Sequence, residues 1–222
     1  MKYLRALILL TAFAAASASG QTPSSGTFAN PLLDNGGDPW VTFCDGRYYY
    51  MHTLGKSIDL WITEDITDLR HAERKTIWKP AATENLQHIW APEIHRIGNK
   101  WYVYFTADDG NLDHHRMYVL ENTNPDPAKG RFELKNRIVT DPADNWAIDG
   151  SVFEHRGELY MVWSGWQKPR TQVETQCIYI ARMKNPWTLD SERVLISQPE
   201  FDWERRYING DGTRLGHIVY VN

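Results

Sequence analysis

The chain has 222 residues, 42% hydrophobic and 13% aromatic, with ten tryptophans and a formal net charge of -4. No basic cluster stands out, which argues against a nucleic-acid partner, and the charges read as a solvated surface of mixed sign. Residues 1–20 carry Lys2 and Arg5, an apolar run from Ala6 to Ala16 and small residues in Ala16-Ser-Ala18-Ser-Gly20. That is a secretory signal peptide, its apolar part too short to span a bilayer, with cleavage expected after Ala18. No other apolar stretch is long enough to cross a membrane, so a soluble exported protein (extracellular or periplasmic) is expected, with residues 21–222 as its mature domain. Cys44 and Cys177 would then meet an oxidising compartment, where a disulfide is permitted. They fall in different repeat units that need not touch, so two thiols acting as small apolar side chains are expected.

After a polar lead-in, Asn30-Pro31 and Asn35-Gly-Gly-Asp38 bring the chain into a first unit through turn residues. Val41–Cys44, an Asp45-Gly46 turn and Arg47–Thr53 predict a hairpin. Ile58–Thr63 predicts a third strand and the more polar stretch His71–Ile77 a fourth. The plan recurs. In the second unit the predicted strands are Ile94–Ile97, Lys100–Thr106, His115–Glu121 and Phe132–Val139. In the third they are Val152–His155, Glu158–Ser164, Gln176–Met183 and Arg193–Ile196. No 3.6-residue period appears outside the signal peptide. Four strands per unit, at intervals of about 50 to 60 residues, are the signature of β-propeller blades. Three blades and the start of a fourth are present, and the run Leu215–Val221 reads as strand.

The openings of the three units carry the chemistry. Asp38, Trp90 and Asp149 each stand eight residues before a glycine, Gly46, Gly98 and Gly157. In a propeller the first strand of a blade lines the central channel, so the residues opening it should share one pocket at the channel mouth. An indole offers a flat apolar face to a sugar ring. Two carboxylates can hold a water, shift each other's pKa and stabilise an oxocarbenium-like transition state. Taken singly, Asp-Pro and Asp-Gly are ordinary turn dipeptides and Trp90 an ordinary core aromatic. Their repeated placement favours function. Glu93, three residues beyond Trp90, is expected to be a structural carboxylate, and His88, His114 and His115 show no metal-ligand spacing.

Asn35-Gly-Gly-Asp38-Pro39, Trp90-Ala-Pro-Glu93 and Trp146-Ala-Ile-Asp149-Gly150 together resemble the successive blade openings of glycoside hydrolase family 43. The likeness runs from about Asn30 to the last residue. It implies an all-β, five-bladed propeller and an inverting glycosidase for arabinose- or xylose-containing plant polysaccharide, without a cofactor. By that resemblance Asp38 corresponds to the general base. Asp149 corresponds to the aspartate that tunes and orients the acid, and Trp90 to an aromatic flanking the sugar. Members often hold a cation or water on the channel axis, with a ligand from a later blade. The family's general acid is a glutamate opening the fourth blade, usually in Glu-Gly-Pro or Glu-Ala-Pro, and neither tripeptide occurs here. Glu204 is expected in an outer or connecting position. The polypeptide by itself is therefore expected to be inactive, with uncovered apolar faces on its terminal blades. The alternative is a sugar-binding propeller without hydrolysis. Other five-bladed sugar hydrolase or transferase families carry Arg-Asp-Pro and Glu-Cys pairs, which are absent.

Overall fold

A computed structural model describes residues 28–168, 175–201 and 204. The signal peptide and the expected strand at Leu215–Val221 lie outside the described residues. Thirteen strands and two short 3₁₀ turns make up the rest. The first sheet holds β1 (Trp40–Cys44), β2 (Arg47–Met51), β3 (Ile58–Thr63) and β4 (Glu73–Trp78) in that order. The second holds β5 (Gln87–Ile97), β6 (Lys100–Asp108), β7 (Arg116–Asn122) and β8 (Glu133–Ile138). The third is built from β9 (Ala147–His155), β10 (Glu158–Trp166), β11 (Gln176–Asn185) and β12 (Thr188–Leu189), with β13 (Val194–Ser197) also pairing with β11. All pairings within the three sheets are antiparallel, as hairpin-linked propeller blades require.

Within the described residues each predicted strand is found, Ile58–Thr63 with the expected ends and the others with shifted ones. The largest difference is β5, which starts seven residues before the expected Ile94 and carries two register shifts on the way in. The two irregularities let the inner strand re-aim its first residues while keeping its hydrogen bonds to β6. Three short elements escaped prediction: β12 and the 3₁₀ turns Ile66–His71 and Leu112–His114, the first turn capped by Asp65 and the second by Asn111.

Stability comes from blade on blade. One core joins the first and second sheets through Tyr49, Met51, Leu60, Ile62, Ile94, Trp101, Val103 and Phe105. A second joins the second and third through Tyr104, Met117, Val119, Val152, Met161, Trp163, Cys177 and Tyr179. Alternation along β6 makes this possible: Val103 and Phe105 face one neighbour while Tyr102 and Tyr104 face the other. Truncating a fully buried aromatic such as Phe105 to alanine would cost about 3–5 kcal/mol. Backbone links cross the same seams, with Gly55 and Ile89 forming a two-way bridge and Ala147 N–H donating to His115 O. The faces of the first and third blades turned away from the second expose Val41, Phe43 and Phe153. Cys44 and Cys177 are both free. Cys177 is buried in the second core, whereas Cys44 is half-buried and its Sγ accepts a hydrogen bond from Arg96 Nη1 at 3.1 Å.

Candidate active site

The blade entries share a backbone device. Asp38, Ala91 and Asp149 have φ of 54°, 41° and 53°, the left-handed region that L-residues rarely enter. Strand register confirms that these three positions are equivalent. Cys44, Ile97 and His155 are the last residues before the hairpin turns, pairing with Arg47, Lys100 and Glu158. Counting back from them leads to Asp38, Ala91 and Asp149. Trp90 therefore matches Gly37 and Ile148, one residue upstream of the aspartates. The turns explain the offset. Asp45-Gly46 and Arg156-Gly157 have positive φ at both central residues, with glycine second, whereas Gly98 takes the first central place of its turn. A ruler laid from glycine to glycine is thus off by one in the second blade.

The structure brings Asp38 and Asp149 together. Burial raises the Asp149 carboxyl, and the negative charges of Asp38 and Glu93 raise it further, to about 6. Asp149 is crowded by protein yet remains open to solvent, so water screening limits the free energy that this shift represents. Asp38 is exposed, and its Oδ2 accepts a hydrogen bond from Thr53 Oγ1 at 2.6 Å. Glu93 has the hydrogen-bonding partner expected of it, with Oε2 3.0 Å from His95 Nε2. It is also the third carboxylate of the cluster. It lies two residues past Ala91, the counterpart of the aspartates, at the second irregularity of β5, which hides its place from a period-two reading. The glycine after Asp149 is there for space, since a Cβ on Gly150 would fall 2.5 Å from Met117 Cε and 2.4 Å from Met161 Cε.

Trp90, the residue before Ala91, is half-buried, with its ring stacked on His115 at 3.9 Å between centroids. His115 is buried, and its Nδ1–H donates to Leu112 O at 2.9 Å. Burial pushes its pKa down, so at neutral pH Trp90 rests on an uncharged ring. Behind both is Asp108, wholly buried, with His88 Nδ1 at 2.8 Å and His115 Nδ1 at 3.2 Å. Across the Leu112 carbonyl, Trp146 Nε1 donates at 3.0 Å, and Trp146 stacks on Trp166 at 4.5 Å. Stacked aromatic and imidazole rings thus line the seam between the second and third blades. A separate cavity of about 700 Å³, lined by Asp141, Asn145, Trp187 and Arg193 among others, contains none of these carboxylates. Among the described residues no three His, Cys, Asp or Glu side chains group to hold a metal ion. By themselves these residues do not fit the axial cation that the resemblance implies. Glu204 has its Oε2 taken up by the backbone N–H groups of Glu200 and Phe201, at 2.7 and 2.8 Å.

A family model for glycosyl hydrolases family 43 matches residues 28–218. The chain belongs to that family. The extracellular exo-α-(1→5)-L-arabinofuranosidase of Streptomyces chartreusis is 37% identical over 187 residues, 82% of this chain and 56% of the relative. Alpha-L-arabinofuranosidase B of Pyricularia oryzae is 32% identical, covering 81% of this chain and 38% of the relative. Among solved structures, the α-L-arabinofuranosidase from Lactobacillus brevis superposes with a TM-score of 0.73 at 35% identity, over 80% of this chain and 58% of that one. The chain spans roughly 40–60% of the length of these relatives. With such neighbours, the three stacked sheets are blades of the family's propeller.

Proposed function

We propose that the protein serves as an inverting glycosidase acting on α-L-arabinofuranosyl linkages of plant polysaccharide. The observation that carries this is the meeting of Asp38, Glu93 and Asp149 at one mouth, with Asp149 raised to about 6. Asp38, solvent-open and hydrogen-bonded, is the base that takes a proton from the attacking water. Asp149, its ionisation balanced near neutrality, is the group that sets the protonation of the acid and orients it. Trp90 provides the apolar wall for the sugar ring. The proton donor is assigned to none of the three, and Glu204 is engaged with its local backbone. Arabinose ranks above xylose because the relatives from Streptomyces chartreusis and Pyricularia oryzae are both named arabinofuranosidases.

The test separates base from acid. A dinitrophenyl α-L-arabinofuranoside departs with little protonation, so its hydrolysis reads the base; an α-1,5-linked arabino-oligosaccharide needs both groups. Proton NMR should show β-L-arabinofuranose as the first product, and Asp38→Asn should abolish it. Formation of the α product, an Asp38→Asn variant keeping more than about a tenth of the rate, or binding of the oligosaccharide with no turnover of either substrate would overturn the reading.

A further inference from the structure

We propose that Thr53 is the positioning residue for Asp38, tying the base to the entry of the second blade through a single hydroxyl. This rests on the reading of Asp38 as the base. The Thr53 hydroxyl donates to Asp38 Oδ2 at 2.6 Å, and the same oxygen accepts the backbone N–H of Ala91 at 2.7 Å. Its single donor and one of its two lone pairs are thereby used on two different blades.

The geometry has a cause in the fold. A residue in the left-handed region turns its N–H out of the strand ladder, and an amide at a half-buried seam needs an acceptor. The preceding blade supplies it. Thr53 lies opposite Gly37, donating its N–H to Gly37 O, and Thr106 pairs with Trp90, the counterpart of Gly37. Thr106 Oγ1 in turn faces the backbone N–H of Asp149 at 3.4 Å. Ser164 holds the same place in the third blade, opposite Ile148. So a hydroxyl stands at one equivalent position in each blade, within the second strand at Thr106 and Ser164 and just past it at Thr53, and in two successive seams it receives the entry amide of the next blade. Valine would suit a strand equally well by shape and propensity. What threonine adds is the hydroxyl. Among the described residues the device holds a carboxylate in the first blade, where the hydroxyl reaches back to the aspartate of its own blade.

The consequence is a base whose carboxylate orientation follows the position of the second blade, so Asp38 and Asp149 are set against a common frame. Holding a reacting group within a narrow orientation matters in the transition state more than in substrate binding. Thr53→Val keeps the volume and removes the hydroxyl; Thr53→Ser keeps the hydroxyl. With the dinitrophenyl arabinofuranoside, Thr53→Val should lower kcat by roughly 10- to 100-fold with KM within about twofold, and Thr53→Ser should recover to within about threefold of wild type. A Thr53→Val kcat equal to wild type, or equal losses in the valine and serine variants, would overturn the proposal. A readout free of turnover accompanies it: amide exchange at Ala91 should accelerate in Thr53→Val and stay slow in Thr53→Ser. Unchanged exchange in Thr53→Val sinks the latch. If instead Asp38→Asn hydrolyses normally while the exchange pattern holds, the assignment of the base has failed and the inter-blade latch stands.

Discussion

The entries of the first and third blades differ from that of the second in one respect. All three turn through a left-handed residue at the same ladder position, but two put a carboxylate there and the middle one puts Ala91. The backbone device belongs to the propeller; the aspartates are grafted onto it. The two aspartates are not alike either. Asp38 is solvent-open and held by Thr53, whereas Asp149 is crowded and feels the charges of Asp38 and Glu93. An identical backbone conformation thus yields two carboxylates in different surroundings, one hydrogen-bonded and open, the other crowded and raised to about 6.

That comparison is broken most severely at Asp38. Asp38→Asn should lower kcat by ~10²–10⁴-fold while sugar affinity and melting temperature stay nearly constant, because a base acts only in the chemical step. Steady-state kinetics with isothermal titration of an arabino-oligosaccharide would check this, and a large loss of affinity would show that Asp38 holds substrate instead.

At Asp149 the expected effect is smaller and depends on pH. Asp149→Asn should cut the rate and remove a limb of the pH profile near 6. Its stability effect has a definite sign. A carboxyl raised in the folded state binds more protons than in the unfolded chain between the ordinary value, 3.8, and about 6. The protein therefore loses stability as pH rises through that window, and above it the full cost of the charge is present. Asn removes the cost, so the variant should gain stability at pH 7.5 and gain none below 3.8. With solvent screening the gain should be about 1 kcal/mol, or about 2–4 °C in Tm for a chain of this size. A variant that melts lower than wild type at pH 7.5 would show that Asp149 ties the fold together.

Much of this was legible in the sequence. The hairpins were, because Asp-Gly and alternating aromatics are local signals, and Asp38 and Asp149 followed from their place before those hairpins. What stayed hidden depended on geometry that no single residue type announces. Gly98 occupies the first turn position and Gly46 and Gly157 the second, so the shared spacing of eight pointed to Trp90 where the ladder points to Ala91. Glu93 looked structural because it was counted from that shifted origin. Thr53 looked like the end of a strand, and only contacts between blades distinguish it. The long lead-in of β5 was missed because its bulges break the period-two pattern by which strands are read.

Trp90 tests whether the off-register residue still serves the site. Its ring stacks on an uncharged His115 and stands next to Ala91, whose amide meets Thr53 and through it Asp38. Trp90→Ala should raise KM roughly tenfold and lower kcat by less, which corresponds to about 1.4 kcal/mol of lost ring contact. Equal loss in kcat with KM unchanged would place the indole's role in the chemical step.

The smallest effect, and the sharpest on the comparison itself, is expected at Ala91. Alanine in the left-handed region costs about 1–2 kcal/mol that glycine does not pay. Glycine gives back roughly 0.5–1 kcal/mol through the larger entropy of its unfolded chain. Ala91→Gly should therefore stabilise the protein by at most about 1.5 kcal/mol, with the Thr53 hydrogen bond intact because it is made by the backbone N–H. Kinetics should not change, since Ala91 itself contributes an amide and no side-chain chemistry. Urea unfolding together with kcat and KM would decide it. A gain in stability with unchanged turnover would mean that the entry conformation is a property of the propeller, filled with aspartate only where chemistry needs one. A variant that loses activity while remaining folded would mean that the Ala91 methyl shapes the site, and the middle entry could no longer be set apart from the other two.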